Sequence, residues 1–190
     1  MRKVILLMHV SLDGFVGGPQ GEVDWIKIDN EMYHDVDELL KTVDTALYGR
    51  VTYQMMENYW PTVPHNSSST QFELHHADWV EHVHKIVFSK SLDKVTWNNT
   101  RLIKENIQEE VLKLKQQPGK DMMIFGSPSI AHLFMKLDLI DAYRIMVNPV
   151  ILGKGIPLFQ DINDRKKLTL LQAKTFQSGV VGLHYERKCD

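Results

Sequence analysis

The sequence of 190 residues contains one cysteine, Cys189, which lies next to the C-terminus. A single thiol excludes an intrachain disulfide, and it also excludes a structural zinc site built from several thiolates. We therefore expect the protein to work in a reducing compartment, and we predict a cytoplasmic location.

Long hydrophobic runs are also missing. No apolar run in the sequence approaches the ~20 residues that a membrane helix needs. The N-terminal stretch MRKVILLMHVSLDG has a basic start, but polar residues follow its apolar run at once and no small-residue cleavage site is present. We interpret residues 4–10 as a buried first strand and expect no membrane partner.

An excess of charge of one sign is absent as well. Lys and Arg number 22 and Asp and Glu number 24, which gives a formal net charge of -2. This balance offers no electrostatic case for a nucleic-acid partner. Any anion that the protein binds must be held by a local arrangement of groups.

The composition that is present, 43% hydrophobic and 24% charged, is typical of a globular domain with a sizeable core. We predict a single domain over residues 1–190. Hydrophobic periodicity predicts helices at 31–43, 51–58, 105–116 and 129–137. Predicted strands lie at 4–10, 45–48, 85–89, 122–125 and 143–152, the last interrupted by Pro149 at an edge or bulge, with a hairpin at 168–175 and 180–187. Residues 71–84 are interpreted as irregular.

This alternation predicts an α/β fold with a mixed, mostly parallel central sheet, helices on both faces and a C-terminal β-hairpin. Ligands of such sheets lie at the carboxyl ends of the strands. The strand ends are therefore the places to search for a site.

Three predicted strand ends suit an anion. In LYGRVT (47–52), a strand meets Gly49 and then a helix whose first N–H groups suit a phosphate, and Arg50 adds a guanidinium. In IFGSPSI (124–130), Ser127 and Ser129 are candidate caps that can donate to a diphosphate. A solvated arginine and an ordinary glycine–serine turn are the alternative interpretations of these two segments.

The third strand end carries Ser89 and Lys90, a hydroxyl and an ammonium suited to one more anionic group. Each signal is weak alone. Together they are best explained by a nucleotide with a diphosphate and a further phosphate, and NADPH has that inventory.

The motifs SLDGFVGG, ALYGRVTYQMM, KIVFSKSL, MIFGSPSIAHLFM and NPVILGKGIPLF occur in this order. In this order they resemble the dihydrofolate reductase-like superfamily, and within it the C-terminal reductase domain of the bifunctional riboflavin-biosynthesis deaminase-reductase. The resemblance covers residues 3 to 185. It implies a three-layer α/β/α fold, NADPH as hydride donor, often a homodimer, and reduction of a small heterocyclic or carbonyl substrate, similar to 5-amino-6-(5-phosphoribosylamino)uracil reductase.

The resemblance also implies cofactor-binding residues, which match the family's motifs position by position. Val16 and Gly17 match the loop that covers the nicotinamide, and Ser89 and Lys90 match the site of the 2′-phosphate. The residues that match the two phosphate-binding helix starts are Gly49, Arg50 and Thr52 in the first and Gly126, Ser127, Ser129 and Ile130 in the second.

The chain departs from the family pattern on the substrate side. Reductases of riboflavin synthesis often carry a glutamate and a Gly-Gly pair where this chain has Phe125, Gly126 and Ser127. The sequence does not decide whether the Gly126–Ser127 peptide is cis. It leaves the physiological substrate open.

Candidate proton donors are Asp13, in the SLDG turn, and Asp29, which competes with Glu31 and Asp35 for the place of the first-helix carboxylate of dihydrofolate reductases. The alternative interpretations are a turn-stabilising side chain for Asp13 and helix caps or solvated acids for the others.

Two further functions stay open: a non-catalytic NADP-binding or sensor protein on the same fold, and a dihydrofolate reductase. A metal site is not expected, because no acid or cysteine completes a ligand set with His75, His76, His82 and His84. His9 and His184 are interpreted as core or cleft residues rather than bases.

Overall fold

The computed structural model describes residues 1–162 and 164–188. These described residues contain ten strands and five α-helices. The strands are β1 (Val4–Ser11), β2 (Phe15–Gly17), β3 (Val43–Gly49), β4 (His84–Phe88), β5 (Thr100–Ile103), β6 (Asp121–Phe125), β7 (Ala142–Asn148), β8 (Ile156–Pro157), β9 (Leu168–Thr175) and β10 (Val181–Arg187). The helices are α1 (Asn30–Leu40), α2 (Arg50–Tyr59), α3 (Gln71–His82), α4 (Ile107–Gln116) and α5 (Pro128–Lys136), and a 3-10 helix, Trp60–His65, follows α2.

Eight strands form the central sheet in the order β5-β4-β3-β6-β1-β7-β10-β9. Neighbouring strands run parallel from β5 to β7, and β10 pairs antiparallel with both β7 and β9. The carboxyl ends of the parallel strands therefore lie along one edge of the sheet. The predicted mixed, mostly parallel sheet is confirmed.

Helices cover both faces of the sheet, as the alternation along β1 shows. Leu6 and Met8 pack in one core with residues of α4 and α5, whereas Ile5 and Leu7 pack in a second core with residues of α1, α2 and α3. Alternate side chains of a strand point to opposite faces. The three-layer α/β/α architecture predicted from the sequence is confirmed.

The C-terminal hairpin is confirmed almost to the residue. Strands β9 and β10 pair from Leu168↔Arg187 to Thr175↔Val181. The turn between them closes with a hydrogen bond from the Phe176 amide to the Val180 carbonyl. Strand β9 forms an edge of the sheet.

Two predictions for individual elements are wrong. Residues 71–84 hold helix α3, which starts with a capping box in which Thr70 and Glu73 satisfy each other's backbone amides. The first helix ends at Leu40, and Val43 belongs to β3 instead. Strand β5 was not predicted.

The interpretation of Pro149 is also wrong. Strand β7 ends at Asn148, and its two neighbours in the sheet, β1 and β10, pair with it on both sides. Pro149 follows the strand and stops it, because proline has no N–H to donate to a ladder. It marks neither an edge strand nor a bulge.

Within the described residues, none of the helices combines the length and the apolar character needed to cross a membrane.

Candidate functional site

The β3–α2 and β6–α5 junctions lie side by side at the carboxyl edge. Strands β3 and β6 are parallel neighbours, so both strands end at the same edge of the sheet. The buried amide of Gly49 donates a hydrogen bond of 2.7 Å to the Ser127 hydroxyl. This bond joins two segments that are 78 residues apart in the sequence.

A side chain at position 49 would be crowded at this junction. A Cβ atom at position 49 would lie 3.0 Å from Ile130 Cγ1 and equally close to the hydroxyl oxygens of Ser127 and Ser129. Contacts of this length are tighter than nine in ten real Cβ contacts, so the neighbouring side chains would have to move. The first helix start therefore packs its backbone directly against the second.

Both helix starts leave N–H groups without a side-chain cap. Gly49 and Ser127 occupy the N-cap positions of α2 and α5, and neither side chain caps its own helix. The first N–H groups of a helix lack intrahelical partners and suit an anion. Arg50 and Ser129 are exposed beside them, and Thr52 is buried in the first turn of α2.

The Ser127 side chain does not cap its own helix, which is the role predicted for it. It occupies the predicted N-cap position, but its hydroxyl accepts from Gly49 rather than from its own helix. None of the peptide bonds between described residues is cis, so the Gly126–Ser127 peptide is trans. Gly126 has a φ of 65°, a backbone conformation that favours glycine.

At the third predicted strand end, after β4, Ser89 and Lys90 have different surroundings. The Ser89 hydroxyl accepts hydrogen bonds from the amides of Ser91 and Leu92, so it shapes the turn. Lys90 is exposed and makes no hydrogen bond or ion pair with another described residue.

Lys90 lines a cavity of about 750 Å³ between the start of α4 and the face of α5. Lys104 brings a second ammonium to this cavity, and Leu133 and Leu137 form an apolar wall. Two carboxylates, Glu105 and Glu109, also line it. The cavity combines cationic groups with an apolar surface, as the ribose and base end of a nucleotide requires.

The glycine-rich segment at residues 11–21, here called the first loop, packs against the loop before β8. Strand β2, which contains Val16 and Gly17, pairs antiparallel with β8. A Cβ atom at Gly155 would overlap the carbonyl oxygen of Gly17. The structure thus places the GKG turn, Gly153 to Gly155, as a support for the first loop.

Asp13 ties these two loops together. Its carboxylate accepts hydrogen bonds from the Ser11 hydroxyl at 2.6 Å and from the amides of Leu152 and Gly153 at 3.1 and 2.7 Å. These bonds, led by the one from Ser11, lower the pKa of Asp13. An ionised, fully occupied carboxylate fits the turn-stabilising interpretation and is a poor proton donor.

Asp29 caps helix α1. One carboxylate oxygen accepts from the Met32 amide at 2.9 Å and the other from the Ser178 amide at 2.7 Å. The bond from Met32, followed by those from Ser178, lowers the pKa of Asp29. The competing acids Glu31 and Asp35 both pair with Lys174, at 3.3 and 3.1 Å. The geometry therefore favours the structural interpretation for all three acids.

His9, which the sequence placed in the core or the cleft, lies near the carboxyl end of β1 beside Asn148 of β7. The Asn148 amide nitrogen lies 3.2 Å from His9 Nδ1. Burial lowers the pKa of His9 to about 4, so the ring is neutral at pH 7. The two residues are 139 positions apart in the sequence, and no local pattern links them.

The four clustered histidines do not share one surface. His75 and His76 lie in α3, which ends at His82, whereas His84 begins β4. His76 is buried among aromatic rings and lies 4.4 Å from Trp60 between ring centroids. Over residues 1–162 and 164–188, no group of three or more potential ligands is arranged to hold a metal.

Comparisons with known proteins place the chain in a known domain family. The sequence model of the RibD C-terminal domain family matches residues 2–182. The chain is 39% identical to the uncharacterized protein YyaP of Bacillus subtilis (strain 168) over 186 residues, which cover 97% of this chain and 94% of that protein. It is 33% identical to the uncharacterized protein YwjB of the same organism over 187 residues, 98% of both chains.

Solved structures share the fold at lower identity. A protein of Shewanella sp. PV-4 provisionally assigned to riboflavin biosynthesis superposes with a TM-score of 0.78 at 21% identity, covering 98% of this chain and 99% of that one. The deaminase/5-amino-6-(5-phosphoribosylamino)uracil reductase of Thermotoga maritima gives 0.67 at 16% identity, covering 98% and 57%. Dihydrofolate reductase from Enterococcus faecalis, complexed with NADP(H), gives 0.64 at 13% identity, covering 98% and 97%.

The match over residues 2–182, the two relatives above 30% identity and the shared sheet lead to one conclusion: this chain belongs to the RibD C-terminal domain family.

Proposed function

We propose that the protein is an NADPH-dependent reductase that transfers hydride to a small heterocyclic or carbonyl substrate, similar to 5-amino-6-(5-phosphoribosylamino)uracil reductase. The observation that carries the proposal is the pair of uncapped helix starts joined by the Gly49–Ser127 hydrogen bond. The family supports a reductase, and its fold neighbours include a dihydrofolate reductase complexed with NADP(H).

The residues present fit NADPH. The N–H groups of α2 and α5, together with Arg50 and Ser129, would hold the diphosphate. The ammonium of Lys90, at the rim of the 750 Å³ cavity, would hold the 2′-phosphate, while Leu133 would contact the adenine. Bound NADPH supplies a hydride.

The chain itself orients and shields the reacting groups. Val16 and Gly17 lie in a buried strand held by β8 and by the Asp13 carboxylate, so the loop that would cover the nicotinamide is preorganised. Neither Asp13 nor Asp29 is assigned a proton transfer, because backbone and hydroxyl donors occupy both carboxylates. We infer that the proton comes from water.

The second candidate is a protein that binds NADP(H) without turnover. The occupied carboxylates of Asp13 and Asp29 favour it. A dihydrofolate reductase is the weaker alternative, since Glu31 and Asp35 are paired with Lys174 rather than free for a pterin.

NADPH oxidation distinguishes these candidates. The protein is incubated with NADPH deuterated at C4 and, in parallel, with 5-amino-6-(5-phosphoribosylamino)uracil, dihydrofolate and small carbonyl compounds. A reductase forms a deuterated product that mass spectrometry detects. Binding of NADPH without deuterium transfer to any of these compounds favours the binding protein, and transfer to dihydrofolate alone favours the folate reductase.

We also propose that the protein acts as a homodimer in the cytoplasm, on a small molecule and without a nucleic-acid partner. The family resemblance supports the dimer. So do the exposed leucines of edge strand β9, Leu168, Leu170 and Leu171.

A further inference from the structure

His9 occupies a central place at the carboxyl edge of the sheet. Its side chain points to the same face as Ile5 and Leu7, the face covered by α1 and α2, because these residues alternate along β1. The Leu7 carbonyl, two residues earlier, accepts a hydrogen bond from the Gly126 amide. His9 therefore lies beside the turn that leads into α5.

Asn148 fixes the tautomer of His9. The Asn148 side-chain oxygen accepts from the Lys27 amide at 2.9 Å, and its side-chain nitrogen donates to the Met146 carbonyl at 3.0 Å. These two bonds set which end of the amide faces the ring. The nitrogen that lies 3.2 Å from His9 Nδ1 can only donate, so Nδ1 is unprotonated and the ring proton sits on Nε2.

The Nε2–H group of His9 has no partner within the described residues. Part of the His9 residue is exposed, so the ring is not sealed inside the core as that of His76 is. Because Nδ1 faces Asn148 on β7, Nε2 faces away from that strand. Burial keeps the imidazole neutral by lowering its pKa to about 4.

We propose that His9 is a catalytic hydrogen-bond donor whose Nε2–H binds a carbonyl oxygen of the substrate, and that Asn148 is the positioning residue that holds this tautomer. This inference rests on the proposed function and narrows its substrate class. The substrate presents a carbonyl oxygen on the α1–α2 face, as a pyrimidinedione does.

The chemistry requires a donor of this kind. When the electrophilic carbon gains a hydride, the electron pair of its C=O or C=N bond moves toward the heteroatom, and a proton from water then completes the product. In a conjugated ring, part of the developing negative charge reaches a carbonyl oxygen. A neutral imidazole stabilises that charge by a hydrogen bond and keeps its own proton.

Nuclear magnetic resonance of protein labelled with ¹⁵N-histidine tests the tautomer and the contact without turnover. At pH 7 we expect His9 as the neutral Nε2–H form. Addition of 5-amino-6-(5-phosphoribosylamino)uracil should shift the Nε2 resonance. In Asn148→Asp the carboxylate accepts from the ring, so the proton should move to Nδ1. A wild-type Nδ1–H tautomer, or an Nε2 resonance that this compound leaves unchanged, would overturn the proposal.

Kinetics of two substitutions at position 9 give an independent test. His9→Ala should lower kcat/KM for the same compound about 100-fold, and His9→Gln, which offers an amide N–H, should recover about tenfold of that loss. NADPH binding, followed by tryptophan fluorescence, should stay within about twofold in both variants. A His9→Ala enzyme with near wild-type kcat/KM would contradict the proposal.

The two tests separate this proposal from the proposed function. If wild-type protein binds no NADPH, the reductase proposal fails, while the resonance of His9 still decides whether its Nε2–H meets the uracil compound. If NADPH binds and is oxidised while the Nε2 resonance of His9 stays unchanged, the reductase proposal is supported and the role proposed for His9 is wrong.

Discussion

At the residue scale, the site depends on a single hydrogen bond between two backbone turns. The Gly49 amide is buried and donates to the hydroxyl of Ser127, a residue that is 1% exposed. A buried donor without an acceptor costs about 1–3 kcal/mol. This contact therefore holds the two helix starts side by side.

Ser127→Ala should accordingly lower the free energy of unfolding by about 1–3 kcal/mol. The neighbouring substitution Ser129→Ala is the matched control, because Ser129 is exposed, and it should change stability by less than about 0.5 kcal/mol. Urea denaturation measures both. Equal effects of the two substitutions would show that the Gly49–Ser127 bond does not stabilise the junction.

The buried His76 and the partly buried His9 make stability depend on pH. Burial lowers the pKa values of His9 and His76 from 6.5 to about 4. The unfolded chain therefore binds more protons than the folded one between these values, so stability is full above pH 6.5 and falls as the pH drops toward 4. The shift corresponds to roughly 3 kcal/mol for each ring.

Urea denaturation at several pH values between 7 and 4 should show this loss. Replacing one ring, in His76→Phe, should make the dependence shallower, because that ring no longer takes up a proton on unfolding. A wild-type stability that stays level across this range would contradict the assignment of both rings as buried and neutral.

The sequence identified the strand ends that meet at the carboxyl edge better than it identified the contact between His9 and Asn148. Gly49, Arg50, Gly126 and Ser129 follow buried strands, and the topology brings those strand ends together. The contact between His9 and Asn148 could not be predicted, because it depends on the register of β1 with β7, in which His9 pairs with Met146, two residues before Asn148. Asp13 and Asp29 were candidate proton donors because the sequence does not distinguish a carboxylate that stabilises a turn or caps a helix from one that transfers a proton.

At the scale of elements, α3 shows why one helix was missed. Its apolar side chains Phe72, Trp79 and Val80 are interrupted by histidines, so the amphipathic period is weak. The available signal was the Thr70–Glu73 spacing of a capping box. Strand β5 gave no signal at all, because only Ile103 of its four residues is buried.

Thr70→Ala removes this cap. It should destabilise the protein by about 1 kcal/mol, because the Glu73 amide loses its side-chain acceptor. Ser67→Ala, an exposed change in the preceding loop, is the control and should leave stability unchanged. Thermal unfolding followed by circular dichroism compares the two, and equal midpoints would argue against the capping box.

At the scale of the whole molecule, the sheet ends on an exposed strand. Almost all of β9 is exposed, and Leu170 and Leu171 are each about half exposed, at 50% and 51%. Exposed edge strands pair readily with another chain. The expectation of one domain over residues 1–190 and that of a homodimer both stay predictions, and the second is directly measurable.

Sedimentation velocity should give the mass of a dimer of the 22.0 kDa chain. Leu170→Lys places a charge on the edge strand and should shift the equilibrium toward the monomer. The control Lys136→Ala, at the far end of α5, should sediment like the wild type. A wild-type monomer at micromolar concentration would contradict the dimer.

The central claim, that the carboxyl edge holds NADPH, is tested most directly by titrating the protein with NADPH and NADH and following tryptophan fluorescence. We predict tighter binding of NADPH, weakened about tenfold by Arg50→Ala and by Lys90→Ala but not by Lys136→Ala. Lys90→Ala should affect NADPH more than NADH, because its ammonium meets the 2′-phosphate. Failure of the wild type to bind either nucleotide would contradict the account and leave a shared fold alone.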